Sequence, residues 1–286
     1  MAASAREGTG ESVLLLHGFT LSHHVWRPVV TELAPDYDVL APTLPGHWGG
    51  SPLPSRDAGV CGIAEGIERQ LDAVGWDTCH IVGNSLGGHI AFELERRGRA
   101  RSLAAINAGI GAKRFDANGI RVAAMFILQY RLVLATRMLG DGVATNPRFQ
   151  KPVLVSSAHD LSAVDPVDAA DMLRAIAHCS TYLPSIRAFA RDGLVVDLDQ
   201  VRVPTSILVS EFDIYPNHAP HIRRILDHLP GHIREVTLPG VGHIPMLEAP
   251  SQIANALREH FRFATANTSP TTTITTADRP PQRSQR

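Results

Sequence analysis

The sequence predicts an α/β fold: a mainly parallel sheet with helices on both faces. Three observations carry this. Six short apolar runs punctuate the chain, most of them closing on glycine. Apolar residues recur at helical spacing between them. The two patterns alternate along a chain of 286 residues that is 44% hydrophobic, enough to bury one core with an insertion.

The elements follow in order. "SVLLLHG" (12–18) is the first strand, and "YDVLAPTLPG" (37–46) gives the second. "VCGIAEGIERQLDAVG" (60–75) sets Ile63, Ile67, Leu71 and Val74 on one helical face. "CHIVGNS" (79–85) is a third strand that runs straight into "LGGHIAFELERRG", a helix ended by Gly98. "SLAAINAG" (102–109) is the fourth strand, "TSILVSEFD" (205–213) the fifth and "IREVTLPG" (233–240) the sixth. "HAPHIRRILDHLPG" and "PSQIANALREHFRF" are helices, with Pro250 suited to a first turn.

The alternation fails over 111–191, where the pattern is helical throughout. This segment is expected to be a cap or lid inserted into a core formed by 1–110 and 192–266. Gly109, Gly111 and Gly193 flank it as candidate hinges. The tail 267–286, rich in Thr, Pro and Arg, is expected to be disordered.

Charge and composition exclude some classes. The formal charge is -1, which leaves no basic footprint for nucleic acid. Three cysteines, Cys61, Cys79 and Cys179, fit neither a disulfide framework nor a zinc cluster and suit a cytoplasmic chain. The start, "MAASAREGTGES", lacks the apolar core of a secretory signal. The apolar stretch 122–139 is interrupted by Gln129, Arg131 and Arg137. It reads as a largely buried helix and not as an integral membrane segment. A homodimer is left open.

One motif points to chemistry. A strand ending in Gly83-Asn84-Ser85-Leu86-Gly87 and passing directly into a helix has the form of a nucleophile elbow. The tight turn pushes the serine hydroxyl out at the sheet edge, and small residues must flank it. The next helix aims its partial positive charge at a developing anion. A serine needs a base. His243 follows the last strand, so its loop emerges at the same edge. Asp213 ends the preceding strand and is the candidate orienting acid; Glu211 is weaker because it sits deeper. The fourth strand offers Asn107 and no acid. The amides of Phe19 and Leu86 are candidate oxyanion donors.

Taken together, "LLLHGF", "LPGHWGGS", "IVGNSLGG", "SEFDIYP" and "GVGHIPMLEAP" resemble, in that order, the α/β-hydrolase-fold enzymes, over about residues 12–264. The resemblance implies Ser-His-Asp acyl transfer without a metal or organic cofactor, and a lid after the sixth of eight strands. It also exposes departures. About sixteen residues precede His17, so the usual N-terminal strand hairpin is absent or reduced and the sheet is expected to begin at the family's third strand. Thr43 stands where the pattern has aspartate.

The expected activity is hydrolysis of a carboxylic ester of a small to medium apolar acyl group. Met125, Phe126, Ile127, Leu128, Leu132, Leu134, Met138 and Leu139 supply a surplus of apolar side chains for an acyl pocket. Two alternatives stand beside it. One is a carbon–carbon bond hydrolase of aromatic ring-fission products, which "GNSLGG" resembles, although the glycine-proline-glycine stretch usual after His-Gly is missing. The other is a non-catalytic binding protein on a hydrolase scaffold. Haloalkane dehalogenases and epoxide hydrolases use an aspartate nucleophile, and Ser85 argues against both.

Overall fold

The computed structural model describes residues 4–109, 117–155, 157–194, 196–213 and 220–267. The candidate hinge Gly111 and the tail beyond Asn267 lie outside them. The described residues form one seven-stranded sheet in the order β1-β3-β2-β4-β5-β6-β7. The strands are β1 (Ser4–Glu7), β2 (Glu11–Leu16), β3 (Tyr37–Pro42), β4 (Cys79–Asn84), β5 (Ala100–Ile106), β6 (Thr205–Ser210) and β7 (Ile233–Leu238). β2 to β7 are the six apolar runs, and every pairing among them is parallel.

β1 corrects the sequence expectation that the sheet begins at the His-Gly strand. It pairs antiparallel with β3, Ser4 opposite Pro42 and Glu7 opposite Val39, so the N-terminal hairpin is reduced to one strand. Its residues are mostly polar because it is an edge; Arg6 holds Asp38 of β3 through a 2.6 Å ion pair. To reach β2 the chain must pass over the start of β3. Gly8, at φ 87, makes that passage: a Cβ there would lie 2.1 Å from the Tyr37 carbonyl oxygen. Four residues with only one apolar side chain, Ala5, carry no strand signal, which is why the sequence reading missed them.

Helices cover the sheet. α1 (Arg27–Leu33) packs with α11 (Pro250–Asn267), and α2 (Val60–Val74) packs with α3 (Leu86–Arg96). The strands beneath them are sealed: Val13, Leu14, Leu15, Leu16, Ile81, Val82 and Leu103 to Ile106 are all buried. Burying a side chain of this size contributes about 1.5–3 kcal/mol.

A polar chain runs under α11 near the strands' N-terminal ends. Arg234 Nε donates to Ser206 Oγ (3.0 Å), and Ser206 Oγ lies 2.8 Å from His260 Nδ1. His260 Nε2 lies 2.9 Å from Ser102 Oγ, which lies 2.7 Å from His80 Nδ1. Arginine can only donate, so Ser206 Oγ accepts from it, and burial lowers the pKa of both His260 and His80.

Between β5 and β6 the described residues form helices and turns: α4 (Ala117–Leu139), α5 (Asp141–Ala144), α6 (Pro147–Leu154), α7 (Pro166–His178) and α8 (Tyr182–Asp192). α9 (Pro220–Leu226) and the short α10 (Pro245–Glu248) follow. α4 corrects a second expectation. Among its described residues only Val133 and Thr136 are buried, while Leu128 is 65%, Leu139 68% and Met138 85% exposed. By length and composition it is the one helix among the described residues apolar enough to cross a membrane. Apolar composition all round the helix cannot say which side finds a partner. Here α4 meets α7, and Phe126 and Tyr130 pack half-buried against Phe19 and Tyr182, while Ile127, Leu128, Leu134, Met138 and Leu139 are exposed.

Candidate active site

The parallel registers bring the C-terminal strand ends into line. Leu16 of β2 stands beside Gly83 of β4, Asn84 beside Ile106 of β5, and Ile106 beside Leu208 of β6. The loops after β2, β4, β5, β6 and β7 therefore open at one edge, where open α/β sheets hold their ligands.

Ser85 sits between β4 and α3 at φ 53, ψ -115, a conformation rare for any residue but glycine. Two close contacts hold it there. A Cβ on Gly83 would lie 2.1 Å from the Gly87 carbonyl oxygen, and one on Gly87 would lie 2.2 Å from that of Leu16. The Ser85 N–H donates to Ile106 O at 2.8 Å, tying the turn to β5.

His243 follows β7, and its Nδ1 is 2.9 Å from Asp213 Oδ1. The Asp213 side chain is fully buried in this contact. A carboxylate only accepts, so Nδ1 carries the proton and Nε2 is left as the acceptor. Glu211, the rival acid, is exposed and takes the Gly240 N–H at 3.0 Å instead. Ser85 and His243 line one cavity of about 40 Å³. At ~10–15 Å³ per water, that is room for about three waters.

Phe19 lines the same cavity. Its ring packs against Phe126, Tyr182 and Phe189 of the insertion, with centroids 5.2–5.5 Å away. A Cβ on the neighbouring Gly18 would lie 3.4 Å from that of Ser85, so this turn abuts the serine. Leu86 opens α3, where an amide has no partner in the helix ladder. His17 braces the turn from below. The Leu44 N–H donates to its Nε2 (2.9 Å) and its Nδ1 donates to Gly18 O (2.8 Å), which fixes a neutral ring. Full burial lowers its pKa well below the ordinary value, in keeping with that tautomer. Thr43, the departure from aspartate, bonds the His23 ring through its hydroxyl at 2.8 Å.

The structure adds residues that the sequence reading did not assign. Asn84 Nδ2 (3.0 Å) and Asn107 Nδ2 (3.1 Å) both donate to the His243 carbonyl. Asn107 holds this pose at φ 52. Glu248 of α10 accepts three backbone N–H bonds: Gly242 at 2.7 Å, His159 at 2.8 Å and Asp160 at 2.9 Å. With Ile244 N–H donating to Ser157 O at 2.8 Å, it joins the His243 loop to the insertion. The "GHIPMLE" spacing, an acid five residues past the histidine, was the one available signal.

The rest of the wall is mixed. Leu21, Met172, Ile176 and Ile244 are apolar; Gln129 and Ser157 are polar. Of the apolar surplus in 125–139, Phe126 is the one among the described side chains that lines the cavity. Ile127, Leu128, Leu134, Met138 and Leu139, counted in that surplus, are exposed. Among the described residues, no group of three or more His, Cys, Asp or Glu is placed to hold a metal ion.

The chain is similar to known proteins. The sequence profile of the alpha/beta hydrolase family matches residues 13–256. The chain is 36% identical over 198 residues to epoxide hydrolase EphH of Mycobacterium tuberculosis, covering 68% of this chain and 91% of that protein. It is 27% identical over 267 residues to a pimeloyl-[acyl-carrier protein] methyl ester esterase of Aeromonas hydrophila, covering 90% and 97%. Among solved structures, a thermophilic esterase from Thermogutta terrifontis superimposes with a TM-score of 0.70 at 22% identity, covering 91% and 92%.

Proposed function

This chain belongs to the alpha/beta hydrolase family, and from that premise we propose that it hydrolyses carboxylic esters through Ser85, His243 and Asp213. The observation that carries this reading is a strained serine sharing a small cavity with a histidine whose other ring nitrogen is held by a buried carboxylate.

The chemistry follows from the geometry. Ser85 Oγ attacks the ester carbonyl carbon while its proton passes to His243 Nε2. Asp213 holds the ring and stabilises the charge it gains. The Phe19 and Leu86 amides receive the oxyanion. The alcohol leaves with the proton from His243, and an acyl group remains on Ser85. A water then gives its proton to His243 and attacks the acyl carbon; the acid departs and Ser85 regains its proton. The 40 Å³ cavity favours a small acyl group. Helices α4–α8 act as the lid, with Phe126 contributing to its inner surface.

The similarity to an epoxide hydrolase supplies a second reading. The residue at the elbow weighs against it. Opening an epoxide with a serine oxygen leaves an ether, which water at this site has no means to cleave. A carboxylate nucleophile would leave a hydrolysable ester.

The test uses p-nitrophenyl esters of two to ten acyl carbons, styrene oxide and a fluorophosphonate probe. The expected result is ester turnover highest at two to four carbons, one adduct on Ser85, and a loss of about 10⁴-fold or more in kcat for a folded Ser85→Ala. Epoxide turnover that survives Ser85→Ala would sink the proposal.

A further inference from the structure

The turn after β2 carries a residue that the proposed triad leaves unused. Gly18 to Leu21 form a tight turn closed by Leu21 N–H to Gly18 O at 3.2 Å. Thr20 occupies its third position at φ 67. Turns of this kind place glycine or asparagine there, because a β-branched side chain crowds its own backbone. Among the described residues only three non-glycine residues have positive φ: Thr20, Ser85 and Asn107. Ser85 is the proposed nucleophile, and Asn107 holds the carbonyl of His243. Such strain persists where the surroundings enforce it, and it gathers at working sites.

Thr20 is 3% exposed and lines the cavity with Ser85 and His243. Its hydroxyl has no hydrogen-bond partner among the described residues, yet it is not among the polar atoms sealed from solvent. A rotatable donor on a cavity-lining residue, one past the Phe19 amide, is therefore within reach of solvent. In the free protein water can satisfy it. Once a substrate displaces that water, the hydroxyl must meet an acceptor or be left unpaired.

We infer that Thr20 touches the substrate, its hydroxyl donating to the carbonyl oxygen that gains charge when Ser85 attacks. The inference rests on the serine-hydrolase reading. It explains why the turn keeps a strained threonine where glycine would sit without strain.

The experiment measures p-nitrophenyl propionate turnover and the rate of fluorophosphonate labelling at Ser85, in full-length wild type, Thr20→Val, Thr20→Ser and Thr20→Gly. Thr20→Val keeps the shape and loses the donor. Its kcat is expected to fall about 10- to 100-fold with KM within twofold, and labelling to slow in parallel. Thr20→Ser recovers most of the loss. Thr20→Gly, which relieves the turn and secures the test if the valine variant folds poorly, melts at a higher temperature but stays slow. A Thr20→Gly protein as fast as wild type, or a folded Thr20→Val changed only in KM, overturns the inference. Wild type that takes no fluorophosphonate at Ser85 refutes the serine-hydrolase reading itself. Labelled wild type with an indifferent Thr20→Val refutes the role of Thr20 alone.

Discussion

At the scale of single residues, the elbow is set by backbone touching backbone. The atoms that a Cβ on Gly83 or Gly87 would strike belong to the main chain of Gly87 and Leu16, which cannot rotate away. Gly83→Ala is therefore expected to cost about 3 kcal/mol or more, the upper range for overpacking a tight site. Urea unfolding reads this directly, and a midpoint equal to wild type would mean that the elbow has slack. Ser85, Asn107 and Thr20 spend stability at the same edge, each held in a conformation that its side chain resists.

At the scale of elements, α10 matters more than its four residues suggest. Glu248 gathers amides from the His243 loop and from 159–160, two segments far apart in sequence. Bonds to a charged acceptor contribute about 1.5–3 kcal/mol each when shielded, and less here because the site is partly open. Glu248→Ala is expected to lower kcat about 10-fold as the His243 loop loosens, with a modest fall in melting temperature. Glu248→Gln recovers part of this, since its one remaining oxygen serves one side of the clamp. An unchanged kcat in a folded Glu248→Ala would show that the asparagine pair holds the loop unaided. α4 shows the opposite economy: a long apolar helix with most of its surface outside the core.

At the scale of the molecule, burial of neutral histidines links stability to pH. Burial, with His80 and Arg234 nearby, lowers His260 to about 3. His47 and His89 are each lowered to about 4, chiefly by burial. Unfolded histidine titrates near 6.5. The folded pKa values lie below that, so the unfolded chain binds more protons below pH 6.5. Stability is then full above about pH 6.5 and falls as pH drops toward 4 and 3. At pH 4.5 the difference for His260 alone is about 3 kcal/mol, and the melting temperature is expected to lie about 10 °C below its value at pH 7.5. His260→Gln should start lower at pH 7.5 and fall less steeply. Parallel curves for the two proteins would remove His260 from the account.

The six parallel strands, the elbow and the order Ser85, Asp213, His243 were legible in the sequence. Each rests on a local rule: apolar runs make buried strands, glycines permit the elbow, and chain order fixes which loops share an edge. The tertiary structure alone decided the rest. β1 forms because β3 offers an open edge, and four residues with a single alanine among them cannot announce that. The outward face of α4 depends on which side meets α7. Glu248, Asn84 and Asn107 work through partners as far as 159 residues away in sequence. Contacts at that distance come from the packing of the whole chain, which no local pattern records.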